Sequence, residues 1–288
     1  MFIFHKSFYI FASKLFEKYD SMKKTIKIFI ILLIAVVLAD SCSTVPLTGR
    51  RQLSLIPESE MVSMGFTSYS EFLSENPLST DKENTNLVQE VGKNISNAVI
   101  KYFSDNNLSS QLNGYQWEFN LIDDPTPNAW CMPGGKVVVY TGILPYTNNK
   151  DGLAVVIGHE IAHAVARHGN ERMSQSLITQ LGGIALGEAL KTKPEQTQML
   201  FGAAYGLGAQ YGVMLPYSRE HEFEADRLGL IFMAMAGYDP QAAVAFWERM
   251  AAMGGQSPPE FLSTHPADAN RIQKIKEVMP EALSHYNK

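Results

Sequence analysis

The sequence predicts a mostly helical α+β fold with a small β-sheet, on three observations. Apolar-periodic stretches free of proline dominate the chain. Only two short segments, 117–122 and 136–141, carry the alternation or the β-branched content of a strand. A chain of 288 residues with 45% hydrophobic content can bury one sizeable core, so one main domain is the simplest organisation.

The elements begin with a leader. Residues 26–39 form an apolar run broken only by Lys27, short for a spanning helix and suited to a signal-peptide core. The alternative is an uncleaved anchor. Met22, followed by Lys23 and Lys24, reads as the true start, and 1–41 as leader. Leu38-Ala39-Asp40-Ser41-Cys42 resembles a lipoprotein signal with Cys42 as the acylated residue. It departs from that pattern in the spacing of Leu38 and in Asp40. Residues 42–57 then form a lipid-anchored polar tether with Pro46, Gly49 and Pro57, and 58–288 the main domain. Residues 1–41 hold six lysines and three acidic residues, so their removal takes the net charge from −5 to −8. That acidity, without a basic stripe, argues against nucleic acid as a partner. With Cys42 lipidated, Cys131 is left without a disulfide partner and is expected as a buried thiol.

Helices are predicted over 58–73 and 86–103, the second with Leu87, Val91, Ile95, Ala98 and Val99 on one face. Strand 117–122 leads into a turn at 123–128 that carries Pro125 and Pro127. Strand 136–141 follows. Asn148 and Asn149 are caps for a helix over 153–168. Two apolar helices, 176–190 and 199–215, carry glycines, among them Gly182, Gly183, Gly202 and Gly206. Small residues four apart allow close helix approach, so a tight hairpin in the core is expected. The alternative is an exposed apolar surface that meets lipid or an unfolded protein. Gln180, Glu188 and Gln210 interrupt these runs, so neither reads as membrane-spanning.

The chemistry is concentrated in His159-Glu160-Ile161-Ala162-His163, an H-E-x-x-H run within a helix. Residues four apart share a helical face, so His159 and His163 present their imidazoles side by side, as two corners of a zinc site require. Glu160, about 100° around the helix, is placed to act as a base. A third ligand comes from Ser218-Arg219-Glu220-His221-Glu222-Phe223-Glu224-Ala225-Asp226. Glu222 fits, with Asp226 on the same face to hold the free N–H of a ligating histidine. Glu220, His221 and Glu224 are rivals that spacing alone does not separate from Glu222. A solvated charged face would also explain most of these residues.

H-E-x-x-H followed by S-R-x-x-E-x-x-A-D resembles the zinc metallopeptidases of the HtpX and CAAX prenyl protease family. Pro46-Leu47-Thr48-Gly49-Arg50-Arg51-Gln52-Leu53 is similar to the entry segment of its soluble, periplasmic, BepA-like lipoprotein branch. Asn128-Ala129-Trp130-Cys131-Met132-Pro133-Gly134-Gly135 resembles the family's segment before the active-site helix, and Ser263-Thr264-His265-Pro266 with Arg271 its S-T-H-P-x-x-x-x-R motif. The resemblance implies a zincin-type, gluzincin-like fold and one Zn2+ per chain. It implies His159, His163 and Glu222 as ligands and Glu160 and Asp226 as catalytic residues, and it places His265 near the cleft.

The expected reaction is peptide-bond hydrolysis. Glu160 takes a proton from water and delivers it to the leaving amine. Tyr217, Arg271 and His265 are candidates for a second oxyanion donor. His265 could instead be a fourth ligand that excludes water. Val137 and Val139 form an edge for an extended substrate, with Asn128, Ala129, Gly134 and Gly135 lining the same cleft. The expected substrates are misfolded or unassembled envelope proteins, and the expected location is a periplasm-facing lipoprotein of the bacterial outer membrane. Two other classes fit the same residues: a chaperone-like binding module for outer-membrane proteins, and a closed structural zinc site without turnover.

Overall fold

The computed structural model describes residues 42–45, 48–210, 215–253, 260–266 and 269–286, together with Met22, Thr25 and Phe29. Two compact units divide the chain, Met1–Ser43 and Thr44–Lys288. Nearly all of the expected leader, including the run 26–39 apart from Phe29, lies outside the described residues, as does the Cys42 side chain. Among the described residues no helix is long and apolar enough to cross a membrane.

Strands β1 (Cys42–Thr44) and β2 (Arg51–Leu53) come first, and between them Val45 N–H donates to Arg50 O at 2.8 Å. The sequence predicts a tether over 42–57, and the described residues at 45 and 52–56 are docked on the main domain. Val45 is buried in the main core and Gln52 is buried too. Leu55 N–H donates to Ser174 Oγ, and Asn170 donates to Ile56 O. Helices α1 (Glu58–Glu75) and α2 (Lys82–Asp105) follow, the second capped by Asp81, which accepts from Asn84 N–H at 3.1 Å. The predicted face of α2 is buried at Val91, Ile95, Ala98 and Val99, with Leu87 half-buried.

Strands β3 (Glu118–Ile122), β4 (Ala129–Met132) and β5 (Lys136–Tyr140) form one sheet in the order β3-β5-β4. β3 runs parallel to β5 from Glu118↔Lys136 to Ile122↔Tyr140, and β4 antiparallel from Ala129↔Val139 to Met132↔Lys136. The sequence predicts β5 as an edge, and the structure makes it the centre. Val137 and Val139 are 0% exposed and sit in the core, so they line no cleft. The reason is β4, whose Ala-Trp-Cys-Met sequence lacks strand alternation but closes a hairpin on β5. Gly134 (φ 89°) and Gly135 (φ 86°) turn that hairpin in the left-handed region. A Cβ on Gly134 would meet the Phe66 ring at 2.5 Å.

After α3 (Leu144–Thr147) comes α4 (Lys150–Val165), capped by Asn149, whose side chain accepts from Gly152 N–H at 2.9 Å. Every residue of α4 from Gly152 to Val165 is buried. An apolar surface all round marks a helix enclosed by the fold, and β4, α2 and α7 (Leu215–Met235) pack on it. The helix stops before His168 because Arg167 turns left-handed at φ 60°. Helix α5 (His168–Leu190) restarts at once and pairs with α6 (Glu195–Ala209). This hairpin is not the core element the sequence predicts. Among the described residues from 176 to 210 none is buried, and Leu181, Ile184, Met199 and Leu200 are 63–69% exposed. The chain ends with α8 (Ala242–Ala252), α9 (Glu260–Thr264) and α10 (Ala269–Ser284). Ser263 and Thr264 are helical; Pro266 restricts the residue before it, and the helix ends there.

Candidate active site

Two glycines bring the site together. A Cβ on Gly158 of α4 would stand 2.9 Å from Gly229 O of α7, and one on Gly229 would stand 2.8 Å from His159 N. Without side chains at the crossing, the two backbones touch. His159 and His163 on α4 then face Glu222 and Asp226 on α7. His265, just beyond α9, enters from the third side.

Four donor groups converge. His159 Nε2 lies 3.0 Å from His163 Nε2 and 3.1 Å from His265 Nδ1. Glu222 Oε2 is 2.9 Å from His265 Nδ1 and 3.3 Å from His159 Nε2, and Glu222 Oε1 is 3.3 Å from His163 Nε2. All four side chains are buried. An ion with tetrahedral bonds of about 2.0–2.1 Å holds its donors about 3.3–3.4 Å apart. The spacing and chemistry of this set therefore fit a metal. Neutral imidazole nitrogens whose lone pairs all face one point repel one another unless a cation or proton lies between them.

Around this set the partners are charged and buried. His159 Nδ1 lies 3.0 Å from Asp226 Oδ1. Burial disfavours the charged form of His159, but hydrogen bonds to Asp226 and Glu222 outweigh it and carry the pKa up to about 9. Burial alone would raise the Glu222 carboxyl; the imidazoles of His163, His159 and His265 hold it far below the usual range. Burial likewise opposes ionisation of Asp226, and Arg271 and His159 reverse that. Arg271 is not a free oxyanion donor. Its Nε and NH2 donate to Asp226, both at 2.8 Å, its NH1 lies 3.1 Å from Glu222 Oε2, and its guanidinium stacks 3.4 Å over the Trp247 ring. The Tyr217 side chain lies outside the described residues.

Glu160 is buried beside the four donors but is not one of them. Its Oε1 makes no hydrogen bond, and His265 Nε2 lies 3.5 Å from it. Burial raises its pKa. A buried carboxylate oxygen left open next to a metal-ligand set is placed to handle a proton. Cys131 on β4 is half-buried, and burial with the charge of Glu160 pushes its thiol pKa well up. Asn128 and Ala129 are buried at the start of β4, and Gly134 and Gly135 in its turn.

Among the rivals for third ligand, Glu220 is exposed. His221 and Glu224 are buried but point into a neighbouring cluster, where His221 Nε2 is 2.9 Å from Glu171 and Glu224 Oε2 is 2.9 Å from His168 Nε2. Sequence reasoning passed over His168, Arg50 and Trp247. Trp247 had a signal, because Ala243, Phe246, Trp247 and Met250 share one buried face at helical spacing. His168 had none, and Arg50 had only its place in the 46–53 segment.

A helix bearing two histidines one turn apart, an acid crossing from a second helix and a buried glutamate between them define a metallopeptidase of the H-E-x-x-H type. The chain belongs to Peptidase family M48, whose family model matches residues 93–279. It is 42% identical over 175 residues to Mitochondrial metalloendopeptidase OMA1 of Schizosaccharomyces pombe, covering 60% of this chain and 50% of that protein. It is 32% identical over 246 residues to Metalloendopeptidase OMA1, mitochondrial, of Homo sapiens, covering 83% of this chain and 46% of that protein. It is 28% identical over 247 residues to the Beta-barrel assembly-enhancing protease of Escherichia coli K12, covering 83% and 48%. The chain thus spans about half the length of the curated relatives it matches. These comparisons overturn the expected location. Relatives sharing 32–42% identity are mitochondrial by name, so a lipoprotein facing the periplasm from the bacterial outer membrane does not stand.

Proposed function

We propose that the chain is a zinc-dependent metalloendopeptidase that cleaves misfolded or unassembled proteins. The observation that carries this reading is the convergence of His159, His163, Glu222 and His265 beside the unbonded Glu160 oxygen. A set of imidazoles and one carboxylate suits zinc, which when bound supplies a Lewis acid for the peptide carbonyl and acidifies water.

The chain's own residues do the rest. Asp226 accepts the Nδ1 proton of His159 and so keeps the Nε2 lone pair facing the site. Arg271 holds Asp226 and Glu222 in place. Glu160 takes a proton from the attacking water and returns it to the leaving amine. Among the described residues β4 pairs only with β5, so its outer edge is where an extended substrate backbone can add as a strand. Helix α4 packs against β4, and Cys131 on β4 lies within the field of the Glu160 carboxylate.

Two facts support unfolded proteins as substrates. The Escherichia coli relative is a protease named for β-barrel assembly. The α5–α6 hairpin exposes Leu177, Ile178, Leu181 and Ile184 along one face of α5. That same face favours a second reading, a chaperone-like module that holds such proteins with proteolysis secondary.

One variant tests both readings. Glu160→Gln should retain about one zinc per chain and lose hydrolysis of a reduced, alkylated protein substrate, because it removes the base and leaves the ligands. Substantial cleavage by pure Glu160→Gln protein rejects the role of Glu160. Full protection of unfolded protein from aggregation, with no cleavage even by wild type, favours the binding module.

A further inference from the structure

A second buried cluster lies directly behind His163. His168 and His221 stack with ring centroids 4.3 Å apart and planes 13° from parallel. Glu171 and Glu224 flank them. Two histidines and two carboxylates are an inventory for a metal, yet among the described residues only the His159 group converges as ligands. A guanidinium bridges the two carboxylates instead. Arg50 Nε lies 2.8 Å from Glu224 Oε2, and its NH2 and NH1 lie 2.7 and 3.1 Å from the two oxygens of Glu171. Thr48 Oγ1 donates to the other oxygen of Glu224. Thr48 and Arg50 come from the segment ahead of α1, far in sequence from both carboxylates.

Hydrogen-bond polarity gives this cluster a direction. An ionised carboxylate only accepts, so His168 Nε2, 2.9 Å from Glu224 Oε2, carries the proton and donates it. Two nitrogens 2.8 Å apart share a single proton, and with Nε2 already the donor to Glu224, the Nδ1 of His168 is the acceptor. His168 Nδ1 lies 2.8 Å from His163 Nδ1, so the proton between them belongs to His163. His163 is left with its lone pair on Nε2, the atom that faces His159 and Glu222.

We propose that Arg50 and Thr48 are positioning residues for the metal centre: by holding Glu224 as an acceptor they fix the His168 tautomer, which turns the His163 Nε2 lone pair to the metal. This inference rests on the metal-site reading above. The segment 44–57 is then part of the site's outer support, and metal affinity depends on that segment being docked. Comparable relays through a ligating histidine cost 10–100-fold in affinity or activity, as an order of magnitude, when broken.

The test reads metal affinity on the full chain, by titrating Zn2+ against a chromophoric chelator. Absorption of the Co2+-substituted protein reports the ligand field. Arg50→Met should lower Zn2+ affinity roughly 10–100-fold and shift the Co2+ bands, and Arg50→Lys should recover part of the loss. Glu224→Gln should lose affinity too, because its amide can donate to His168 and permit the opposite tautomer. Arg50→Met/Glu224→Gln should bind no more weakly than the weaker single variant, since both act along one path. Arg227→Met is the control. Arg227 makes an equally short two-point pair with Glu281 from the same helix as Glu224, but at the surface. It should bind within about twofold of wild type. If Arg50→Met does not fold, Thr48→Val, which removes one bond to Glu224, should show a smaller loss in the same assays.

Wild-type affinity and spectrum in the folded Arg50 or Thr48 variant overturns the inference. So does a double variant whose losses multiply, or an equal loss in Arg227→Met. His163→Ala separates the two levels of the reading. If it keeps full Zn2+ affinity, the metal site itself is misassigned. If it loses zinc while Arg50→Met does not, only the role of the segment falls.

Discussion

His159 Nδ1 lies 3.0 Å from Asp226 Oδ1, and both oxygens of that carboxylate are also held by Arg271 at 2.8 Å. Asp226 thus accepts from two donors that surround it on both sides. Asp226→Asn must turn an amide NH2 toward one of them, setting donor against donor in a buried place. Metal affinity or kcat/KM should fall about 10–100-fold. Measuring both with the purified variant checks this, and wild-type values remove Asp226 from the site.

The Gly158–Gly229 contact sets how near the two ligand-bearing helices come. Gly229→Ala places a methyl group 2.8 Å from His159 N, against backbone that cannot rotate away. The helices must part. Overpacking of this kind costs about 1–3 kcal/mol, and here it should also lower metal affinity, because His159 and Glu222 sit on opposite sides of the crossing. Thermal melts and zinc titration read the two effects. A stable variant with unchanged affinity would mean that the crossing tolerates the methyl group.

What the sequence made legible was what helical spacing encodes. His159 with His163, and Glu222 with Asp226, are each four apart, so their shared faces follow from the repeat alone. Asn149 as cap and the buried face of α2 are local for the same reason. The illegible part is non-local. Nothing near Arg167 marks a left-handed residue, so the break that turns His168 back onto His163 carried no signal. Arg50 meets Glu171 and Glu224 across 121 and 174 positions, separations that no periodicity encodes. The place of β5 depends on β4, whose residues do not alternate. The hairpin α5–α6 misled because glycine permits close packing without requiring burial.

That hairpin makes a separable prediction. Leu181→Glu with Ile184→Glu changes two side chains that are 63% and 69% exposed. Exposed substitutions usually alter stability by no more than about 0.5 kcal/mol. Melting temperature and cleavage of a short peptide should therefore stay as in wild type. Cleavage or capture of an unfolded protein should fall, if the apolar face is what engages it. Equal loss on peptide and protein substrates would show that the hairpin supports the site instead.

Removing the metal should loosen three elements together, since the donors come from α4, α7 and the residue after α9. Binding to the folded state alone stabilises by RT ln(1 + [L]/Kd), about 4 kcal/mol at a thousandfold excess over Kd. Chelator should lower the melting temperature, and added Zn2+ should restore it to about one equivalent. A melting temperature indifferent to both would argue that the four side chains bind no ion in solution.

The last prediction concerns His265. Its Nδ1 completes the donor set at 3.1 Å from His159 Nε2 and 2.9 Å from Glu222 Oε2, while its Nε2 stands 3.5 Å from Glu160. A hydrolytic zinc site keeps one position open for water, and four protein ligands close it. In this arrangement His265 sits where water must enter and beside the base that would act on it. The residue is carried by α9: His265 N–H donates to Phe261 O at 2.8 Å, and the two rings lie 4.7 Å apart, tilted by 35°. Movement of the short α9 would then withdraw His265 Nδ1 from His159 and Glu222, which lie on α4 and α7. If His265 is a latch, activity is limited by the fraction of open molecules, commonly about 0.1–10% for a minor state. His265→Ala should then raise basal cleavage of an unfolded protein, self-cleavage included, on the order of tenfold or more, with zinc retained on the other three ligands. If His265 donates to the oxyanion instead, the same variant should lose turnover with zinc unchanged. Unchanged activity rejects both roles. A variant that binds zinc fully and stays inert on every substrate, like the wild type, would leave the four side chains as a closed structural centre.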